Sequence, residues 1–276
     1  MYEVVILDGG LGNNLFQLHH AWGLKLKHDS ARVVLHEPNA KPSSEKQFLE
    51  AVARELGLEI STENTVPSEV AIRIARAKRS LSERGLFPHW RSALTVTQLP
   101  TYRLHCGYWQ TIPFVAKTKN QFDDTVSALL EDGCSDVPIL HIRGGDYLSP
   151  MNARIYSILD SEYYREAFEE VERLHEKVTY EVVTNDPAHV TRMLSDEQGA
   201  FDLSVGKTVM EDFSEISRHK VIVATNSTFC WWAARIGLYK GQTELIIAPR
   251  HWMKEGYRHR SHPKYCDEAE RVVLKT

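Results

Sequence analysis

Short apolar runs that end at glycine or at small polar residues recur along the chain and predict buried β-strands. The first run, Val4–Leu7, stops before a pair of glycines, and apolar residues at helical spacing follow over Asn14–Lys27. A continuous apolar run bounded by glycines is typical of a strand buried on both faces. Strand, glycine turn and helix in this order open an α/β unit. The pattern predicts the next strand at Arg32–His36 and mainly helices over residues 45–85.

A second alternation of strands and helices begins near residue 137, after a strand and aromatic loop predicted at Tyr102–Gln110. The predicted strands are Val137–Ile142, Thr179–Thr184, Val221–Ala224 and Leu245–Ala248. The predicted helices are Ser161–Lys177, a helix after Pro187, Glu211–His219 and Phe229–Gly237. Such alternation is typical of parallel sheets covered on both faces. We therefore predict an α/β fold with two domains, 1–130 and 131–276, joined near residues 120–136.

The composition narrows the class of protein. The chain has 33 basic and 37 acidic side chains and a formal net charge of −4. Proteins that bind duplex DNA show a basic excess, so we expect no nucleic-acid partner. The four cysteines, Cys106, Cys134, Cys230 and Cys266, lie far apart, and the chain has neither a C-x-x-C nor an H-E-x-x-H sequence. We therefore predict reduced thiols and no metal site.

The sequence also bears on where the protein works. No window reaches the roughly 18 apolar residues of a membrane span, and the N-terminus lacks the basic and apolar regions of a signal peptide. We expect a cytoplasmic protein, with peripheral contact at the inner membrane face left open. The segment Arg73–Arg84 is rich in Arg and Lys. It is either a solvated helix face or a contact for an anionic glycan or membrane surface.

The first candidate site is Gly9–Asn14 (GGLGNN), between the first strand and its helix. Glycines let the backbone approach a ligand, and the first amides of the helix attract negative charge. A tight structural turn explains the same residues. The third glycine of the G-x-G-x-x-G dinucleotide fingerprint is missing, because Leu15 and Phe16 occupy that region.

The second candidate site is His141–Tyr147 (HIRGGDY), where a buried strand is predicted to end. Ligands of open α/β sheets bind outside the carboxyl ends of strands. The planar, permanently charged fork of Arg143 suits diphosphate oxygens, and the two glycines beside it clear space. An ion pair between Arg143 and Asp146, beside a packed His141, is the alternative interpretation.

The third candidate site is Thr184–Pro187 (TNDP), again at a strand end. The Asp186 carboxylate could accept hydrogen bonds from the N1 and N2 edge of guanine. It could equally cap a helix whose first residue is Pro187.

The fourth candidate site is Thr225–Ala234 (TNSTFCWWAA), where a strand turns into an apolar helix. Small hydroxyl groups next to free helix amides make an anion site. The alternative is ordinary capping of the helix by Ser227 or Thr228, with Trp231 and Trp232 in the core.

The order of these motifs resembles the bacterial alpha-1,2-fucosyltransferase family. Members open with a GGLGN-type loop, carry a G-Y-aromatic-Q segment and H-x-R-R-x-D-Y, show a strand ending in a small acidic turn, and close with N-S-[ST]-F-x-W-W-A-A. The matching segments here are GGLGNNLF, GYWQ, HIRGGDY, TNDP and NSTFCWWAA, which extend from residue 9 to 234.

The resemblance implies a GT-B fold, with two Rossmann-like domains facing a cleft. Domain 1–130 would take the acceptor and domain 131–276 the GDP-sugar. The implied activity is that of a galactoside alpha-1,2-fucosyltransferase in surface polysaccharide synthesis. It would transfer L-fucose from GDP-β-L-fucose, with inversion, to an oligosaccharide or lipid-linked glycan, with terminal galactose as the expected acceptor. GDP-fucose would be a co-substrate, and no cofactor is expected.

The resemblance also implies roles for single residues. Arg143 would bind the β-phosphate, and Arg143, Asp146 and Asn13 would act in catalysis. Asp146 is the first candidate for the general base, and an unassisted route through a dissociative transition state is the alternative. The implied donor-binding residues are Gly10, Gly12, His141, Arg143, Asn185, Asp186, Asn226, Ser227, Thr228 and Phe229, with Gly10, Gly12 and Asn13 closing over the phosphates and fucose from the other domain.

The chain departs from the family at Gly144, where members usually carry a second arginine. The loss either weakens diphosphate binding or is compensated by another basic residue. The sequence has no D-x-D pair that would hold a divalent metal, and Asp123-Asp124 is expected on an exposed helical segment. We therefore predict activity that is independent of metal.

Three other functions stay open at this point. The first is transfer of another GDP-deoxysugar, such as colitose, or formation of another fucosyl linkage. The second is a nucleotide-sugar-binding protein without catalysis, which Gly144 motivates. The third is a Rossmann oxidoreductase. The missing third glycine and the lack of an acidic residue after a second strand argue against it.

Overall fold

The computed structural model describes residues 2–27, 33–36, 43–61, 73, 77, 95–98, 102–110, 116–174, 178–195, 200–257 and 272–275. These residues divide into two compact units between Leu129 and Leu130. None of the described helices is both long and apolar enough to span a membrane.

The first unit is built on a five-stranded sheet. Its strands are β1 Tyr2–Ile6, β2 Val33–His36, β3 Glu59–Ser61, β4 Thr95–Gln98 and β5 Tyr102–Cys106, in the order β3-β2-β1-β5-β4. Its described helices are α1 Leu11–Lys27, α2 Ser44–Glu55 and α3 Ala116–Ala128. All strand pairs are parallel except β4 with β5. Buried Val4, Ile6, Leu104 and Cys106 form a core across β1 and β5.

The second unit has a six-stranded sheet in which every pair is parallel. Its strands are β6 Ile139–Ile142, β7 Thr179–Thr184, β8 Ala200–Ser204, β9 Val221–Val223, β10 Leu245–Pro249 and β11 Val272–Lys275. Its helices are α4 Ser161–Glu172, α5 Pro187–Met193, α6 Val209–Ser217 and α7 Thr228–Tyr239. The sheet order is β11-β10-β9-β6-β7-β8. Counted from the first strand of the unit, this is the 3-2-1-4-5-6 order of Rossmann folds.

Local sequence signals set the helix starts in the second unit. The Asp160 carboxylate accepts a hydrogen bond from the amide of Tyr163 and caps α4. Helix α6 begins with a capping box, in which Thr208 and Glu211 each bond the other's backbone. These caps satisfy amides that a helix leaves without an internal partner. The apolar face of α4 packs into a core that includes Tyr163, Tyr164 and Val182.

The predicted α/β class and the two Rossmann-like sheets are confirmed, and the strand bounds agree closely. Thr179–Thr184 is a strand as predicted, and the helix predicted at Asn14 begins three residues earlier, at Leu11. Within the region predicted as mainly helical, residues 45–85, α2 is a helix but Glu59–Ser61 is strand β3, and residues 62–85 lie outside the described residues apart from 73 and 77. Helix α3 occupies part of the predicted junction at 120–136.

One prediction about the surface was wrong. Asp123 and Asp124 lie on α3 as expected, but only Asp124 is exposed, whereas Asp123 is 1% exposed. Neighbouring helix positions point about 100° apart, so one side chain faces the unit and the other faces solvent. The apolar neighbours Phe122 and Val126, both fully buried, mark the inner face.

Candidate functional site

Three of the sequence motifs meet at one edge of the second sheet. HIRGGDY follows β6, TNDP follows β7 and TNSTF follows β9, so each lies at the carboxyl end of its strand. Strands β6 and β9 are neighbours at the centre of the sheet, where the strand order reverses. Ligands of doubly wound sheets bind in the crevice at such a reversal. We call these residues the switch-point site.

His141 joins the two central strands at this edge. Its Nδ1 lies 2.8 Å from the Thr225 hydroxyl, and the imidazole is 4% exposed. Burial, and then the nearby Arg143 charge, lower the pKa of His141 to about 3. The ring is therefore neutral at physiological pH. It lies 5.7 Å from the half-buried Phe229 ring, and together they give the site an aromatic wall.

Arg143 is the cation of the switch-point site. Its Nη2 donates to Asp146 Oδ1 at 2.8 Å, and its guanidinium lies 5.1 Å from the Tyr147 ring centre. Both contacts leave the side chain 30% exposed. The Tyr147 hydroxyl in turn donates to the Asn226 carbonyl at 3.1 Å. The guanidinium is thus held by Asp146 and by Tyr147, and the Tyr147 hydroxyl bonds the loop that follows β9.

Gly144 and Gly145 pack directly against the TNDP motif. The Gly144 amide donates to Asn185 Oδ1 at 2.9 Å, and the Gly145 amide donates to Asp186 Oδ2 at 3.1 Å. A Cβ built on Gly144 would lie 2.6 Å from the Asp186 Cβ. Gly145 has a φ of +59°, a conformation that favours glycine. The loops after β6 and β7 therefore meet too closely for a side chain at position 144.

Asp186 is a helix cap in this structure. Its Oδ1 accepts from the His189 amide at 3.0 Å, and Pro187 follows as the first residue of α5. The hydrogen bond from His189, and then that from Gly145, lower the pKa of the Asp186 carboxyl. The capping interpretation of TNDP is confirmed, and a contact with guanine stays a prediction.

The start of α7 offers backbone donors to a ligand. Ser227 occupies the N-cap position, but its hydroxyl makes no capping hydrogen bond, and the first turn contains no acidic residue. Capping by the Ser227 side chain, one alternative for this motif, is therefore not what the structure shows. The first amides of a helix attract anions. They lie in the same loop system as Arg143, which Tyr147 links to Asn226.

Asn226 has a structural role. Its Nδ2 donates to the Ser157 carbonyl at 2.7 Å and to the Trp252 carbonyl at 3.0 Å, and the residue is 2% exposed. The side chain thereby holds three loops together beneath the first turn of α7. Trp231 and Trp232 are buried as expected.

The first unit assembles two further motifs. Gly9 has a φ of +95°, and Gly10 accepts the first α1 hydrogen bond, from Asn14. Gly12 and Asn13 therefore lie in the first helical turn rather than in a loop, which corrects their expected placement. Gln17 is fully buried and bonds the backbone of Asp8 and the carbonyl of Gly107, so it ties this turn to the GYWQ segment.

The GYWQ segment contacts GGLGNN directly. Gln110 Nε2 donates to Asn13 Oδ1 at 2.9 Å. Trp109 has a φ of +56° and stacks on His20 with ring centres 3.8 Å apart. A positive φ is unusual for a bulky residue and is often found at functional sites. The two motifs, separated by most of the first unit in sequence, form one surface.

A buried polar chain behind this surface has no counterpart in the sequence motifs. Glu3 Oε2 lies 2.7 Å from His105 Nε2, and His105 Nδ1 lies 3.0 Å from His20 Nε2. A carboxylate only accepts, so His105 donates from Nε2 and accepts from His20 at Nδ1. Burial, and then the two neighbouring histidines His105 and His19, lower the pKa of His20 to about 3. The one sequence signal was an acid, Glu3, inside an apolar strand.

The sheet order defines the second unit as a Rossmann-type unit, with three of the sequence motifs at its switch point. Residues 87–266 match the glycosyl transferase family 11, and the chain belongs to that family. The matched range includes GYWQ, HIRGGDY, TNDP and NSTFCWWAA, and the predicted family resemblance is confirmed.

Two relatives of the chain come from Escherichia coli. The O-antigen biosynthesis glycosyltransferase WbnK is 23% identical over 116 residues, which cover 41% of this chain and 38% of WbnK. An alpha-1,2-colitosyltransferase is 23% identical over 162 residues, or 54% of this chain and 55% of that protein. The chain thus matches about half or less of the length of these relatives.

Solved structures of other glycosyltransferases also align with the chain. The Escherichia coli heptosyltransferase WaaC with ADP gives a TM-score of 0.49 at 7% identity, covering 100% of this chain and 94% of WaaC. A family 9 glycosyl transferase from Veillonella parvula gives 0.48 at 10% identity, covering 99% of this chain and 86% of that protein.

Proposed function

We propose that the protein transfers L-fucose from GDP-β-L-fucose to a galactoside hydroxyl, with inversion, during synthesis of a surface polysaccharide. The observation that carries the proposal is the convergence of three family motifs at the switch point of the second unit. This edge combines a fixed cation, the first amides of α7 and an aromatic wall. The phosphates of a nucleoside diphosphate sugar match the cation and the helix amides, and its base matches the aromatic wall.

Charge on the leaving GDP is the main difficulty of the reaction. In the proposed step the bond from fucose C1 to the β-phosphate oxygen breaks, and a bond from C1 to the acceptor oxygen forms. The acceptor hydroxyl loses its proton. Arg143 and the first amides of α7 are donors fixed before the reaction, and such donors stabilise developing negative charge. We assign Arg143 to the β-phosphate on this ground.

The other donor-site roles follow from position. Phe229 and the neutral His141 ring form the aromatic wall, which we assign to the guanine. Ser227 and Thr228 begin α7, where a phosphate would accept from their amides. Asn185 and Asp186 hold the glycine loop that borders this wall.

Asp146 is the proposed general base. Its carboxylate is 59% exposed and is oriented by Arg143, so it can take a proton from an acceptor while the arginine stays with the diphosphate. The roles of Gly10, Gly12 and Asn13 in the first unit remain predictions from the family resemblance.

The nature of the deoxysugar is the second question. One relative is named an alpha-1,2-colitosyltransferase, and this name favours GDP-colitose as the competing donor. The two donors differ by one hydroxyl. A site that hydrogen-bonds a substrate hydroxyl rejects the analogue without it strongly, so a direct comparison decides between them.

The test uses purified protein with GDP-fucose, GDP-colitose or GDP-mannose and a panel of β-galactosides. GDP release and product mass are followed with and without brief EDTA treatment. We expect a fucosylated product at the same initial rate in both conditions. A product only with colitose would reassign the donor. Donor binding without product from any acceptor would support a binding protein, and absence of donor binding would refute the proposal.

Substitution of Arg143 tests the role proposed for this residue in the transfer reaction. We expect Arg143→Lys to lower kcat about 100-fold or more, since loss of one fixed donor to a developing charge typically costs 10²–10³ in rate. Arg192→Lys, on α5, is the control because it makes the same substitution at an arginine that is not part of the switch-point motifs. Equal rates for both variants would remove Arg143 from the mechanism.

A further inference from the structure

A cluster of three metal-binding side chains lies at the other end of the second sheet. Glu181 is on β7, Glu215 is on α6, and His219 lies between α6 and β9. His219 precedes β9, whereas the switch-point residue Thr225 follows it. The cluster therefore belongs to the amino ends of the strands and is separate from the switch-point site.

The hydrogen bonds of His219 fix which ring nitrogen is available. Nδ1 lies 2.6 Å from the Val137 carbonyl oxygen. A carbonyl only accepts, so Nδ1 carries the proton in the neutral ring and Nε2 presents its lone pair. Histidines that bind metals show this arrangement, with the second ring nitrogen donating to a backbone carbonyl.

Nε2 points between the two carboxylates. It lies 3.5 Å from Glu215 Oε1 and 3.6 Å from Glu181 Oε2, and His219 is fully buried. Both distances exceed the roughly 2.7–3.2 Å of ordinary N–H···O hydrogen bonds. Two carboxylates and a buried imidazole thus share one small space without close hydrogen bonds among them.

The spacing fits a tetrahedral metal ion. Metal–ligand bonds of about 2.0–2.2 Å place the ligand atoms of a tetrahedral zinc roughly 3.3–3.6 Å apart. The two separations from Nε2 fall at the upper end of this range, and all three ligand atoms lie within 4.8 Å of one another. Imidazole together with carboxylate suits zinc, whereas magnesium and calcium take oxygen ligands.

The surroundings orient Glu215 toward the same point. Its second oxygen, Oε2, accepts from Arg218 at 2.7 Å and from Lys207 at 3.2 Å. Oε1 is thereby turned toward Nε2 of His219. Partners of this kind hold metal ligands in place.

We propose that Glu181, Glu215 and His219 bind one Zn²⁺ ion, with water as the fourth ligand, and that the ion has a structural role. It would join β7 to the later segment that runs from α6 to the start of β9. The metal would lie away from the switch-point site, so sugar transfer would not pass through it. This proposal does not depend on the proposed function.

The test is zinc binding by the full chain after its metals have been removed with chelator. Zn²⁺ alone is titrated while the melting temperature is followed by scanning calorimetry, and bound zinc is counted by mass spectrometry. We expect one zinc per chain and a rise in melting temperature of about 5–10 °C at a hundredfold excess over Kd. Co²⁺ should give the visible absorption of a tetrahedral site.

Glu181→Gln is the diagnostic variant, because it removes one ligand and is partly exposed, so the fold should survive. We expect at least a tenfold loss of zinc affinity and loss of the melting-temperature gain. Glu170→Gln, an acid of similar exposure on α4, should bind as the unaltered protein does. Failure to retain zinc, or equal binding by the Glu181 variant, would overturn the proposal. The latter result would place the metal at other histidines.

Discussion

Gly144 and Asp186 pack so closely that a Cβ on the glycine would lie 2.6 Å from the Cβ of the acid. Members of the family usually carry an arginine at this position, and the missing cation suggested either weaker binding or compensation. The structure gives a geometric reason for the glycine. The Asp186 side chain fills the space that a larger residue at position 144 would need, while it caps α5 and bonds the Gly145 amide.

Replacing this glycine should therefore harm the protein. We expect Gly144→Ala to destabilise the fold by about 1–3 kcal/mol, the usual cost of forcing an extra methyl group into a packed site. Urea unfolding followed by circular dichroism measures the change. Gly23→Ala in α1 is the control, since a Cβ there meets nothing within 4 Å and should stabilise by about 0.5–1 kcal/mol. If Gly144→Ala were neutral, the close packing would be wrong.

Gly144→Arg tests the family pattern itself. Because the loop must move to admit the side chain, we expect weaker donor binding than in the unaltered protein, despite the added charge. Titration calorimetry with GDP measures the affinity. Tighter binding of GDP by this variant would show that the loop accommodates the arginine and that the glycine is a simple loss.

Asn226→Asp should be more harmful than its small chemical change suggests. The Nδ2 group donates to two carbonyl oxygens in a buried setting, and a carboxylate would face both with negative charge. We expect a loss of about 3 kcal/mol or more in the free energy of unfolding. Asn185→Asp is the matched control, because an exposed carboxylate still accepts from the Gly144 amide and loses only the long, 3.4 Å hydrogen bond to the Gly144 carbonyl. Equal losses for the two variants would contradict the structural role of Asn226.

Gln17 connects the glycine turn to the GYWQ segment, so its removal should loosen both. Gln17→Leu leaves the Asp8 backbone and the Gly107 carbonyl without this partner. We expect destabilisation of about 2–4 kcal/mol. Gln121→Leu, at an exposed position on α3, should stay within about 0.5 kcal/mol of the unaltered protein. Chemical denaturation compares the two, and a harmless Gln17→Leu would argue against the connection.

His141 should make the protein sensitive to mild acid. Its pKa is lowered to about 3 in the folded state, whereas a free histidine has a pKa near 6.5. The unfolded chain takes up a proton first as the pH falls, so stability declines between about pH 6.5 and 3. From pH 7 to pH 5 this one group should cost about 2 kcal/mol.

The measurement is urea unfolding at both pH values for the unaltered protein and for His141→Gln, which keeps a polar side chain near Thr225. We expect the variant to lose less stability on acidification by about that amount. Other buried histidines, such as His20, act equally in both proteins and cancel in the comparison. The same pH dependence in both proteins would mean that His141 is not buried in its neutral form.

The regular part of the fold could be predicted from the sequence, because buried strands and helix faces require apolar residues at regular spacing. Strands β6, β9 and β10 are short and mostly apolar, β7 has Val182 and Val183 near its end, and each of the four was predicted within a few positions. Strand β8 was not predicted because its residues, AFDLS, are only partly buried and mix polar with apolar types. Strand β4 pairs antiparallel at a sheet edge, where the apolar pattern is weak.

The site was only partly readable. The motifs indicated which loops meet, because carboxyl ends of neighbouring parallel strands share one edge. The motifs did not decide whether Asp186 contacts a ligand or caps a helix, because both roles require an acidic residue between the end of β7 and the start of α5. The Glu3–His105–His20 chain depends on the register of β1 with β5, and the Glu181–Glu215–His219 cluster needs the fold to bring Glu181 on β7 beside the other two residues. Such contacts between distant segments leave no local pattern.

The pairing of β6 with β9 also sets the order in which the second unit can fold. The switch point exists only when these two central strands lie side by side. Before they can pair, the chain from Ile142 to Val221 must bring its two ends together. Closing so long a loop is entropically costly and slow. During synthesis on the ribosome, β6 and the HIRGGDY segment emerge before β9. Until β9 emerges, the apolar strand β6 lacks this neighbour. We expect this interval to be when the nascent protein most needs a chaperone.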